Sequence, residues 1–236
     1  MSVDDIVKLI DAITQLLNVL IWPGVLIFIS LRFGRDFRQF FSNVGELTLK
    51  GAGFEASLKK KQAEVTAALA AAAAARSIRN STHEDAEKET RNAANLVAEA
   101  VTPNTIRQAS QSKILWVDDR PENNVYERQA LETLGVSFVL AASTDEAIEH
   151  VSRRRFSVII SDMGRPPDPQ AGYTLLDQLR ASGDKTPFII YAGSRAAKHI
   201  AKSRKHGAIG CTNNPNELFE MVLFALGHTA QERART

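Results

Sequence analysis

The chain has 236 residues, 44% of them apolar and 24% charged, with a formal net charge of +2 at neutral pH. That balance excludes wholesale disorder, and the charge is too small to argue for nucleic acid by itself. The single cysteine, Cys211, excludes an intrachain disulfide and a cysteine metal cluster, and is read as a buried structural thiol.

The first element is an uncharged stretch of twenty residues from Ala12 to Leu31, bounded by Asp11 and Arg32. Roughly 20 apolar residues of helix cross a bilayer core, so residues 1–35 are read as an N-terminal transmembrane anchor. A secretory signal would need a basic start and a small-residue cleavage site. This start is acidic, with Asp4 and Asp5. Arg32, Arg35 and Arg38 follow the span, so the positive-inside rule places the C-terminal bulk in the cytoplasm. The expected location is a bacterial inner membrane, crossed once.

Residues 36–58 form a juxtamembrane segment. Phe37, Phe40 and Phe41 share a helical face, and the alternation of Glu46 to Leu58 around Gly51-Ala52-Gly53 predicts a small hairpin. Residues 59–112 read as an alanine-rich helical stalk and linker. Eight of the nine residues from Ala67 to Ala75 are alanine, the best helix former. Ser81-Thr82-His83-Glu84 offers a cap for a second helix to about Val101, which Thr102-Pro103 ends. Ile106 to Ser112 reads as a polar linker. The alanine face could pack between copies of the chain, so a homo-oligomer is expected.

Residues 113–227 alternate strand and helix. Lys113-Ile114-Leu115-Trp116-Val117 is a short apolar run ending in Asp118-Asp119. A helix follows from about Glu122 to Leu134, closed by Gly135. Strand Ser137–Ala141 and a helix from Thr144 to Arg154 come next. Phe156 to Ser161 is a second buried run ending in an acid, Asp162. Further strands cover Pro187–Tyr191 and Ala208–Cys211, with helices from Tyr173, Arg195 and Pro215. Five βα units with short loops define an α/β fold, a doubly wound parallel sheet covered on both faces. Acids at the carboxyl ends of its strands lie where such sheets place ligands. Three carboxylates there make a hard-cation site, because Mg2+ prefers carboxylate oxygen. Residues 228–236 are read as a tail too short for a DNA-binding output, so no nucleic acid partner is expected.

With those residues in place, the segment from Lys113 to Gly227 resembles the receiver domain of bacterial response regulators. The resemblance implies a flavodoxin-like five-stranded sheet of order 2-1-3-4-5. It also implies Mg2+ at Asp118, Asp119, Asp162 and the backbone carbonyl of Gly164, with Asp162 as the phosphoacceptor. Two helper groups depart from the family. The hydroxyl after strand 4 is replaced by Ala192, with Tyr191 and Ser194 as neighbours. Asn214 stands where a lysine belongs. Arg165, in a loop with three prolines, is expected to reach over the site as a replacement cation. No His or Cys nucleophile–base pair stands near the strand ends, so the protein is not expected to be an enzyme. The implied role is a membrane-anchored signalling protein, acting by Mg2+-dependent phosphorylation of Asp162 or as a degenerate receiver that binds a partner, with a histidine kinase or another protein as that partner. The alternative is an oligomeric membrane effector whose assembly the receiver-like domain controls, in stress or phage defence.

Overall fold

The computed structural model describes residues 34–80, 83–192 and 197–233. They fall in two units, 1–56 and 57–236. The uncharged segment 12–31 and Ser194 lie outside the described residues. Among the described residues no helix is long and apolar enough to cross a membrane.

Helix α1 runs from Gly34 to Asn80, so the hairpin expected over Glu46–Leu58 is not formed. Gly51 and Gly53 each weaken a helix by about 1 kcal/mol relative to alanine, but strong helix formers flank them and the helix continues. Its later part is not a free stalk. Val65, Ala68, Leu69, Ala72 and Ala73 are all buried, at the i, i+3, i+4, i+7, i+8 spacing of one helical face. The alanines let the helix approach its neighbours closely. The face expected to pack between copies is therefore buried within the chain.

Helix α2 (His83–Ala100) and helix α3 (Pro103–Ser110) follow. The linker predicted over Ile106–Ser112 is instead mostly α3. Thr102 caps it, accepting the amide of Thr105, and Pro103 sits in its first turn, where its missing N–H leaves no bond unmade. Pro103, expected to end α2, also marks the start of α3. Both helices pack on the last helix of the chain.

The sheet comprises β1 (Lys113–Val117), β2 (Ser137–Ala141), β3 (Val158–Ser161), β4 (Phe188–Tyr191) and β5 (Gly210–Thr212), all parallel in the order β2-β1-β3-β4-β5. This is the order that the resemblance implies. A 3-10 turn at Pro121–Asn124 leads into α4 (Val125–Thr133). Helices α5 (Thr144–Arg153), α6 (Ala171–Ala181), α7 (Ala197–Lys205) and α8 (Pro215–Arg233) complete the βα units. The tail read from His228 continues α8 as far as Arg233.

Alternate strand residues face opposite sides. Ile114, Trp116, Val158, Ile160, Ile189 and Tyr191 join a core with α4, α8 and the N-terminal helices, through Val65, Leu69 and Val97. Leu115, Val117, Ile159, Phe188 and Ile190 join a second core with α5 and α6. The sheet is thus covered on both faces, and residues that precede it in the chain join α4 and α8 on one of them.

Candidate functional site

Parallel pairing of Val117 with Ser161 sets the next residues of β1 and β3 side by side. The amide of Asp162 donates to the Val117 carbonyl at 2.9 Å, and the amide of Asp118 donates to the Ala141 carbonyl at 2.9 Å. These bonds bring Asp118, Asp119 and Asp162 together, with one carboxylate oxygen of each within 4.8 Å of the others. Asp118 is buried and held at both oxygens. Its Oδ1 accepts the amide of Arg120 at 2.8 Å, and its Oδ2 accepts Asn124 Nδ2 at 2.6 Å. Asp119 is half-buried, with Arg120 at 3.6 Å.

Burial pushes the Asp162 carboxyl above its ordinary value, and the charges of Asp118 and Asp119 push it the same way. The amide of Met163 and the guanidinium of Arg165 pull against them. Three converging acids of one sign favour a cation between them. The donor set, three carboxylates at strand ends, fits a hard ion such as Mg2+.

Arg165 does not reach over the site. It is buried, and Nη1 donates to Ser161 Oγ at 2.7 Å and to the Asp162 backbone carbonyl at 2.8 Å. Nη2 donates to Thr144 Oγ1 and the Ala171 carbonyl. Its backbone pairs with Asp168 in a tight antiparallel bridge, so the proline-rich loop folds back on itself and takes the side chain underneath. Arg165 therefore braces the Asp162 turn from below and acts on the carboxylates only through its charge.

Asn214 also has a local task. Its side-chain oxygen accepts the amides of Asn216 and Glu217, which caps α8. Tyr191 faces the N-terminal helices, with its hydroxyl donating to Glu127 Oε1 at 2.7 Å. Ala192, next in line, packs on the opposite core.

Gly172 was not singled out from the sequence. Its amide donates to the Met163 carbonyl at 2.8 Å, and a Cβ there would stand 2.8 Å from the Asp162 carbonyl oxygen. The first turn of α6 therefore lies directly against the backbone of Asp162 and Met163. Gly164 is also close-packed, since a Cβ would come within 3.3 Å of the Pro169 carbonyl. Asn124, Glu127 and Arg76 were missed as well. Arg76 closes the alanine run and lies eleven residues after Val65, on the same helical face, which was the one available signal.

Residues 114–223 match the family model described as the response regulator receiver domain. Among curated proteins, a probable C4-dicarboxylate response regulator DctR of Priestia megaterium is 29% identical over 115 residues, 48% of this chain and 49% of that protein. The chain thus spans about half the length of the curated relative it matches. Among solved structures, the signal receiver domain of an HD domain-containing protein from Pseudomonas fluorescens Pf-5 is 26% identical. That match covers 53% of this chain and 93% of the other, with a TM-score of 0.46. The chemotaxis response regulator CheY4 of Vibrio cholerae is 25% identical, over 50% of this chain and 98% of the other, with a TM-score of 0.41. Residues 114–223 are a response regulator receiver domain.

Proposed function

We propose that this receiver domain accepts a phosphoryl group on Asp162 with Mg2+ held by Asp118, Asp119, Asp162 and the Gly164 carbonyl. The observation that supports it is the convergence of the three carboxylates on two adjacent strand ends. When bound, the cation supplies charge neutralisation that lets a carboxylate approach a phosphoryl group. An oxygen of Asp162 attacks phosphorus, the new P–O bond forms as the bond to the donor's leaving group breaks, and the leaving group departs with that electron pair. The lysine and hydroxyl of the family have no counterpart at Asn214 and Ala192, so the adduct is held by fewer donors.

The protein acts by changing its contacts, as a signalling module and not as an enzyme, with a histidine kinase or another protein as partner. The uncharged stretch Ala12 to Leu31 and the arginines after it support a single membrane span, with the receiver domain on the cytoplasmic side. Incubating the full chain with Mg2+ and acetyl phosphate should add one phosphoryl group by intact mass, labile to hydroxylamine. An unmodified wild type, or an equally modified Asp162→Asn, would refute the phosphoacceptor reading.

A further inference from the structure

Arg76 of α1 lies where that helix meets the strand ends, at Tyr191 at the end of β4 and at residues that follow β1 and β5. Its Nε donates to Glu127 Oε1 at 3.2 Å, its Nη2 to Asn124 Oδ1 at 3.2 Å, and its Nη1 to the Asn213 carbonyl at 3.1 Å. The guanidinium also sits 4.0 Å above the Tyr191 ring centroid. Asn124 and Glu127 are both buried. The Arg76 donors therefore end on groups that water reaches poorly, where a hydrogen bond orients strongly.

Asn124 links this contact to the acids. An arginine has no acceptor and a carboxylate no donor. With Arg76 on one side and Asp118 on the other, only one orientation of the Asn124 amide satisfies both. Its oxygen must face Arg76, and its nitrogen must face Asp118 Oδ2, as it does at 2.6 Å. Each oxygen of Asp118 then carries one hydrogen bond and keeps a lone pair free for a cation. Without Arg76 the amide loses the partner that fixes its orientation, and Asp118 loses its brace.

We infer that Arg76 is a positioning residue for the acidic site: acting through Asn124 it orients Asp118, so that docking of α1 and cation binding favour one another. This rests on the cation reading above. Outer partners that orient a metal ligand typically contribute about 10–100-fold in affinity. Coupling of this kind is reciprocal, so a bound cation must also hold α1 more firmly. The segment that carries Arg76 lies outside the matched receiver residues 114–223.

The test is Mg2+ titration by calorimetry on the full chain in detergent micelles. Arg76→Gln and Asn124→Ala should each weaken Mg2+ by about 10-fold, and the double variant by no more than either alone. Lys61→Met is the control, because Lys61 Nζ anchors α1 to the Thr133 carbonyl at 2.6 Å, away from the acids. It should lower the melting temperature yet weaken Mg2+ by far less than Arg76→Gln does, because the Asn124 contact is kept. An Arg76→Gln protein with wild-type affinity, or a double variant whose loss is the sum of the two, would overturn the inference. A wild type that takes up no Mg2+ would overturn the cation reading, and hydrogen exchange without cation then decides the link. Asp118→Ala should speed exchange over residues 65–76, and Asp119→Ala should not. Equal protection in both variants and the wild type would sink it.

Discussion

Gly172 and Gly227 both lie in helices, and helix propensity alone favours alanine at each. The structure predicts opposite signs. At Gly227 a Cβ meets nothing within 4 Å, so Gly227→Ala should stabilise the protein by up to about 1 kcal/mol. At Gly172 the Cβ would stand 2.8 Å from the Asp162 carbonyl oxygen and 3.2 Å from Met163 Cα. Both are backbone atoms and cannot swing aside as a side-chain tip would. Overpacking of this kind costs about 1–3 kcal/mol. Retreat of α6 would also stretch the bond from the Gly172 amide to the Met163 carbonyl, worth about 1 kcal/mol. Gly172→Ala should therefore destabilise by about 2–4 kcal/mol. Because the displaced peptide carries the Asp162 side chain, Mg2+ affinity should fall as well. Urea denaturation and calorimetric Mg2+ titration measure the two effects. A Gly172→Ala protein as stable as the wild type, with unchanged Mg2+ affinity, would refute this packing argument.

Asp162 holds its proton more tightly when folded than when unfolded, because burial and its two acidic neighbours raise it. Its contribution to stability is full in acid, below the ordinary carboxylate value, and is lost as pH rises through the folded value. Asp162→Asn should therefore raise the melting temperature at neutral pH without divalent cation, by a few degrees at most given partial solvent screening, and the gain should vanish in acid. Leu69→Ala, at a fully buried position of α1, should cost about 2–5 kcal/mol in urea denaturation. Asn214→Lys should lose about 1 kcal/mol with the α8 cap yet lengthen the lifetime of the Asp162 adduct, followed by intact mass.

The receiver sheet was legible because its signals are local. Apolar runs of four or five residues, each ending near an acid or a turn, specify buried parallel strands, and the acids mark the strand ends. Asp118, Asp119 and Asp162 could be placed for the same reason: strand register is all that their meeting requires. Arg165 could not, because its direction depends on a backbone bridge to Asp168 that no periodicity announces. Asn214 looked like a lost lysine, when its oxygen serves the two amides that begin α8. The alanine run read correctly as helix. Its partner was hidden, since alanine packs equally well on a second copy or on its own chain. Arg76, which reveals the choice, contacts residues up to 137 positions away.

Helices α1 to α3 join α4 and α8 in the core on one face of a sheet that comes after them in the chain. Synthesis is vectorial, so these helices leave the ribosome before any strand exists. Val65, Leu69 and Val97 stay without their full set of neighbours until the sheet and α8 have emerged. A gene fragment beginning at Lys113 would encode every strand with α4 and α8, yet strip that core of Val65, Leu69, Val97 and Ala109. In a chimaera, the natural cutting point therefore lies near residue 57, before the docked part of α1, and not at the first strand.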